Sequence, residues 1–256
     1  MKKLILYVFA ACVCLLVYAC AALQQPSVSG SETQNESGRL PRIIAIQDKQ
    51  EDYAIFLKED LGNYTDLQST MDTIVNRYNT DRNGDDLLTI CFALRQKECF
   101  KDGNNLVIAY YSEFFNRAWA DEAFNKKITE ERQYYFAENL LTAFYQAGRI
   151  SEGIPFTKKY VQTLKKPDDI VQFGLKISGY YSNVKEPRPG DIAELFFWVK
   201  YLEKEYYDQV TDLNKIKISS ALYQCADKLG DTQSAQEYKE KAKAIYQKLV
   251  DAASAG

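Results

Sequence analysis

Five glycines, Gly62, Gly103, Gly148, Gly190 and Gly230, punctuate this chain at separations of 41, 45, 42 and 40 residues. Each lies between two stretches whose apolar residues recur at i, i+3, i+4 and i+7, the spacing of a helix with one buried face. The stripes are Leu67, Met71, Ile74, Val75 and Tyr78; Leu87, Ile90, Cys91 and Leu94; and Ala137, Leu140, Leu141 and Phe144. They continue with Leu195, Trp198, Val199, Leu202 and Tyr206; Ile218, Ala221, Leu222, Cys225 and Leu229; and Ala235, Tyr238, Ala242, Ile245 and Leu249. A glycine at such a break is where a helix must stop with a positive φ and a short turn begin. No run of strand alternation competes. The pattern predicts an all-α fold, an α-solenoid of about five antiparallel helical hairpins with a period near 42 residues, each hairpin burying its apolar face on the next.

At two rungs the residues resemble the tetratricopeptide (TPR) family. In the stretch from Ala137 to Tyr160 the first helix ends in Ala147-Gly148, and Gly153, Phe156 and Tyr160 stand where that family places a small residue, an aromatic and the closing small residue. From Ala221 to Ala242 the match is closer: Gly230-Asp231, Ala235, Tyr238 and Ala242 keep the family spacing, with Leu222 eight residues before Gly230. The resemblance covers residues 130 to 250 and is extrapolated to 45 to 129; the period exceeds the 34 residues usual in the family. It implies that first-helix residues line a concave groove: Tyr135, Glu138, Thr142 and Tyr145 at one rung, Lys217, Ser220, Gln224 and Asp227 at the other. These are polar and aromatic without a dominant charge, as suits a groove for a peptide or protein segment. Any solvated helix face has the same look.

The N-terminus carries a second constraint. Met1-Lys2-Lys3 is a positive start, and Leu4 to Leu23 is uncharged and almost wholly apolar, which predicts an export segment. Leu15-Leu16-Val17-Tyr18-Ala19-Cys20 resembles the bacterial lipoprotein box, which implies cleavage before Cys20 and a diacylglycerol on its thiol. Tyr18 is bulkier than the family's usual residue. Cys12 after Ala10-Ala11 is a competing site, and cleavage near Ala19 to Ala21 without lipid, or retention as an uncleaved anchor, are the plainer readings. Gln24 to Gly38 is polar and cannot bury a core, so it reads as a flexible tether. The expected organisation is a signal over 1–19, a lipidated Cys and tether over 20–40, a repeat domain over 41–253 and a tail over 254–256.

Histidine is absent, which removes the commonest general base and zinc ligand and the Ser/His and Cys/His nucleophile pairs. Signs of charge are mixed along the body and the formal net charge is −3, with no basic patch for nucleic acid. Asn79 to Asp85 resembles the start of an EF-hand loop, yet Ile90 stands where the bidentate Glu is needed, so a polar helix connection is expected. Cys91, Cys99 and Cys225 are expected as buried free thiols. The doubled aromatics, among them Tyr110-Tyr111, Phe114-Phe115 and Phe196-Phe197, are expected to pack between hairpins, one ring inward and one toward the next hairpin or the surface. Asn35-Glu-Ser37 and Asn63-Tyr-Thr65 fit the N-glycosylation pattern, which carries meaning only outside bacteria.

Together these features predict a membrane-anchored cell-envelope lipoprotein, on the periplasmic or outer face of a bacterial membrane, whose repeats form a protein–protein interaction scaffold. No enzyme activity, cofactor or metal is expected. The expected partners are an envelope protein or peptide segment and the membrane, through the lipid. A solute- or polymer-binding lipoprotein that presents its ligand to an envelope transporter or assembly machine is the alternative.

Overall fold

A computed structural model describes residues 38–254, so the export segment, Cys12, Cys20, Asn35 and almost all of the expected tether lie outside the described residues. Leu40 onward forms one compact unit. Its helices are α1 (Gln47–Gln50), α2 (Ala54–Leu61), α3 (Leu67–Asp81), α4 (Gly84–Ala93), α5 (Gly103–Ala120) and α6 (Glu122–Asn125). They continue with α7 (Glu130–Gln146), α8 (Ile150–Tyr160), α9 (Pro167–Ser182), α10 (Pro189–Tyr206), α11 (Asp212–Lys228) and α12 (Thr232–Ser254). Among the described residues the only β pairing is an isolated antiparallel bridge, Ala45 to Phe100. The domain is all-helical.

Local chemistry sets the helix ends. Asp66 caps α3 by accepting from the N–H groups of Gln68 and Ser69, Asn83 caps α4, and Thr129 caps α7. Pro167 and Pro189 open α9 and α10, where a missing N–H costs nothing. Gly148 and Gly230 adopt φ of +70° and +76°. At the first, the Arg149 N–H donates to the Phe144 carbonyl and Gly148 N–H to Tyr145; at the second, Asp231 donates to Ala226 and Gly230 to Asp227. Both are Schellman turns, which satisfy two orphan carbonyls and fold the next helix back.

The same expectation fails at Gly103 and Gly190, which have no positive φ. Asp102 takes the left-handed conformation instead, at φ 55°, and Gly103 opens α5. Glycine is needed there for space: a Cβ would lie 2.2 Å from the Lys97 carbonyl oxygen. Gly190 is the second residue of α10, after Pro189.

Helices pack in a repeat-like manner: α4 packs on α3 and α5, α8 on α7 and α9, and α11 on α10 and α12, while α2 also meets α4, α5 meets α7 and α9 meets α11. One row runs α2, α4, α7, α9, α11. It is joined by Arg95 beyond α4 to Asp60 of α2, by Phe92 to Phe136, by Tyr134 to Phe173, and by Asn214 to Asp168. The other runs α3, α5, α8, α10, α12, joined by Tyr78 to Glu113, Phe115 to Phe156, Lys158 to Glu194, and Lys241 to Glu203. Apolar side chains between the rows make one continuous core from Ile43 to Cys225. Cys91, Cys99 and Cys225 are buried and free; burial pushes the Cys225 thiol up to about 11.

Aromatics form the centre of this core. Phe136 is fully buried, and its ring centroid lies 5.4 Å from Phe92, 4.8 Å from Tyr111 and 5.2 Å from Phe114. Both members of Tyr110-Tyr111 and of Phe114-Phe115 are buried, because α5 is covered on both sides. Phe197, by contrast, is 71% exposed on α10.

The array ends on a polar face. Ile154, Thr157 and Val161, six, nine and thirteen residues after Gly148, are buried under α9 and its approach; Gln236, Lys239 and Lys243, at the same offsets from Gly230, are exposed. Leu229 and Leu249, counted above with the buried stripes, are exposed. Leu229 sits in the turn, and α12 has 23 residues against 17 in α11, so its last turns outrun their partner.

At the other end, Leu40 to Ile46 is an extended strap. The Leu40 N–H and C=O pair with the Asn79 side chain, the Tyr110 hydroxyl donates to the Pro41 carbonyl at 2.5 Å, and Arg42 grips Asp72 with two bonds. Gln68 pairs with the Ile43 carbonyl and Ala45 N–H, while Lys101 N–H donates to Ile44 and Ile46 N–H to Cys99.

Candidate functional site

A shallow, open concavity of about 370 Å³ lies between α9 and α11. Its floor is Leu175, Gly179, Ile216 and Ala221; its polar rim includes Gln172, Lys176, Lys217, Ser220 and Gln224. Burial of Ile170, Val171, Phe173 and Ile177 fixes the roll of α9, and burial of Ile218, Leu222 and Cys225 fixes that of α11. Their polar positions are thereby turned out into one groove.

Helix α7 continues the surface through α9. Lys176 Nζ lies 2.5 Å from Glu138 Oε1, the Thr142 and Tyr180 hydroxyls are 2.7 Å apart, and Tyr145 stacks on Tyr180 with centroids 4.9 Å apart. Tyr135 remains 43% exposed beside them. Burial, with Glu138 nearby, pushes the Tyr134 phenol up to about 12. Of the eight residues assigned to a groove from sequence, Lys217, Ser220 and Gln224 line the cavity. Glu138, Thr142 and Tyr145 meet α9 as described. Asp227 is exposed near the Gly230 turn and outside the lining.

What the sequence reading left out is α9 itself: Gln172, Lys176, Gly179 and Tyr180. The signal was available as register, since Glu138 to Lys176 and Thr142 to Tyr180 are both steps of 38 residues. It was obscured because the α9–α10 connection closes through Asn183 and Pro189 rather than a glycine turn.

Hydrogen-bonding capacity around the cavity is uncommitted. Among the described residues the side chains of Gln172, Lys217, Ser220 and Gln224 make no hydrogen bond or ion pair, although Lys217 lies near the Asp168 carboxylate. Asp168 is itself occupied: hydrogen bonds from the Thr211 N–H and the Asn214 amide hold its carboxyl below the ordinary range.

The EF-hand-like segment is likewise committed to structure. Asn83 caps α4, and both oxygens of Asp86 are taken by the Arg77 guanidinium. Among the described residues no group of three or more Cys, Asp and Glu side chains is arranged to hold a metal ion, and no helix is long and apolar enough to cross a membrane. No family model, curated protein or solved structure matches the chain.

Proposed function

We propose that this protein is a membrane-tethered interaction module of the bacterial cell envelope. In this reading it is exported, lipidated at Cys20, and folded as a TPR-like α-solenoid of five hairpins: α2/α3, α4/α5, α7/α8, α9/α10 and α11/α12. The groove on α7, α9 and α11 docks a segment of an envelope protein, and the role is binding, without catalysis.

The observation that carries the reading is a concavity between α9 and α11 with apolar and polar lining, most of whose polar side chains bond to nothing else in the chain. Four side chains with unused donors and acceptors surround Leu175, Gly179, Ile216 and Ala221. A partner segment would supply apolar contact and exchange water for hydrogen bonds to these side chains. The solute-binding alternative calls for an enclosed, aromatic-lined pocket; here the nearest aromatic pair, Tyr145 and Tyr180, is closed on itself by stacking.

A photo-cross-linking amino acid placed at Gln172 or Gln224 of the full chain, expressed in its native cells, tests the proposal. A discrete protein adduct from these positions, absent from Lys248 on the exposed face of α12, is the expected result. Equal, diffuse labelling from all three positions refutes groove docking.

A further inference from the structure

The two ends of the helical array differ in polarity. At the C-terminal end the positions that would receive a further hairpin carry Gln236, Lys239 and Lys243. At the N-terminal edge Ile44 and Ile46 of the strap and Ile55 and Phe56 of α2 are exposed, Ile55 to 82% and Phe56 to 49%. Apolar residues scattered singly on a surface need no explanation. These four fall within 13 residues of chain, and the fold draws them to one edge.

The stretch from Arg95 to Lys101 gathers them. The Ile46 N–H donates to the Cys99 carbonyl and the Lys101 N–H to that of Ile44; the Cys99 thiol lies against the Lys49 carbonyl of α1, and Arg95 grips Asp60 of α2. Ile44 and Ile46 are two residues apart on extended chain, which puts them on the same side, opposite the buried Ile43. In α2 only Leu57 is buried, which leaves Ile55 and Phe56 outward. Tyr53 and Tyr64, on either side of α2, are partly buried against the core. A ring with an apolar body and a polar tip suits the boundary between water and lipid.

Charge does not mark this edge for a strongly charged partner. From Arg39 to Asp60 four basic residues stand beside five acidic ones, and Arg42 and Asp60 are already paired with Asp72 and Arg95. What the chain carries ahead of the edge singles out its cover. Cys20, proposed above to bear the lipid, is 18 residues from Gly38, a reach of at most about 65 Å fully extended. Retention of Leu4 to Leu23 as an anchor would shorten it further. Leu40 is the first residue of the compact unit, so along the chain this edge is the part of the domain closest to the attachment.

We infer that the N-terminal edge of the domain rests on the bilayer, with Ile44, Ile46, Ile55 and Phe56 entering the boundary of headgroups and acyl chains to a depth of about 5–10 Å. This rests on the membrane attachment proposed above and adds which face of the domain meets the lipid. Because the edge is close to neutral, the contact is apolar: it needs no anionic lipid and withstands salt.

The test uses the full chain isolated from its native cells and reconstituted in phosphatidylcholine vesicles with bromine high on the acyl chains. Tryptophan is introduced singly by Ile46→Trp, Ile55→Trp or Phe56→Trp, with Phe197→Trp, at another exposed aromatic, and Lys239→Trp as controls. Bromine quenches tryptophan only at close approach, and quenching is read as the excess over the parent chain. The three edge variants should lose roughly half or more of their added fluorescence, and the two controls almost none. The loss should be the same in high salt and with phosphatidylglycerol included. Ile55→Ser combined with Phe56→Ser should leave the Tm unchanged, since both side chains are exposed, and should cut the quenching of Ile46→Trp roughly twofold. Vesicle-bound chain whose edge tryptophans are quenched no more than the controls overturns the inference and leaves the attachment standing. Quenching that salt abolishes, or that requires phosphatidylglycerol, overturns it as well. Chain that does not stay with the vesicles at all overturns both.

Discussion

Phe136→Ala is the substitution that most directly probes how the rows are held together. The side chain is fully buried, and its four ring neighbours, at 4.8 to 6.3 Å, belong to α4, α5 and α7. Truncating a buried Phe costs about 3–5 kcal/mol in transfer and cavity terms. The upper end applies here, because Phe92, Tyr111 and Phe114 are pinned on two separate helices and cannot all collapse into one hole. The edge-to-face pair with Phe114 adds about 0.5–1.5 kcal/mol. The loss is large against a total stability of about 5–15 kcal/mol, and it falls at one junction of a quasi-one-dimensional stack. The two tryptophans make the junction observable: Trp119 on α5 packs by Phe156 and under the Lys159 ammonium, while Trp198 on α10 donates to the Gly174 carbonyl. Guanidinium titrations followed by fluorescence in Trp119→Phe and Trp198→Phe backgrounds therefore read the two halves separately. The midpoints should coincide in the parents. With Phe136→Ala the Trp119 midpoint should fall by roughly 1 M and precede that of Trp198. One coincident transition with a loss below roughly 1 kcal/mol would refute the assignment of Phe136 as the junction.

Burial raises the Asp60 carboxyl pKa even though Arg95 opposes it; Arg95→Ala, which strands that carboxylate, should cost about 3–5 kcal/mol, and Asp60→Asn much less, as chemical denaturation at neutral pH will show. Burial alone would also raise Glu203, but hydrogen bonds from Lys200 and Lys241 outweigh it and hold the carboxyl below its ordinary value. Its stabilising contribution is complete above the unfolded pKa of about 4.3 and is lost as pH falls through the lower folded value, so Tm measured between pH 6 and 3 should drop less in Glu203→Gln than in the parent. Gly103→Ala meets the Lys97 carbonyl and should lower the Tm sharply, whereas Gly190→Ala should leave it unchanged or slightly raised. Intact mass of the mature protein should give an N-terminal Cys20 bearing diacylglycerol; a chain starting at Ala22 without lipid removes the anchor from the proposal.

The helices were legible because their buried stripes are long and regular, and the Gly148 and Gly230 turns because a left-handed cap has a narrow residue choice. The Gly103 and Gly190 turns were misread since a glycine beside a helix boundary serves equally as a steric gap or an indifferent early position, and only neighbouring backbone decides. The doubled aromatics of α5 pack between hairpins as expected, Phe114 on Phe136 of α7 and Phe115 on Phe156 of α8; which of the two expected directions each ring takes depends on helices that periodicity within one helix cannot reveal. Of the helices around the concavity, α7 and α11 were singled out by the motif at their ends, and α9 was passed over because its own ends carry none. The strap was invisible for a similar reason: Gln68, Asp72 and Asn79 look like a solvated stripe of α3 until the chain that they hold is laid across them.

That strap also decides how a pull on the chain ahead of Leu40 is transmitted. Tension reaches Asn79, Asp72 and Gln68 on α3 and Tyr110 on α5 before it reaches α2, so it enters the row α3, α5, α8, α10, α12. The contacts from Tyr78 to Glu113 and from Phe115 to Phe156 form its load path. The row of α7, α9 and α11 joins that path at α5, where Phe136 packs on Tyr111 and Phe114. The strap and the Phe136 cluster thus lie on one route from the N-terminal edge of the domain into its middle.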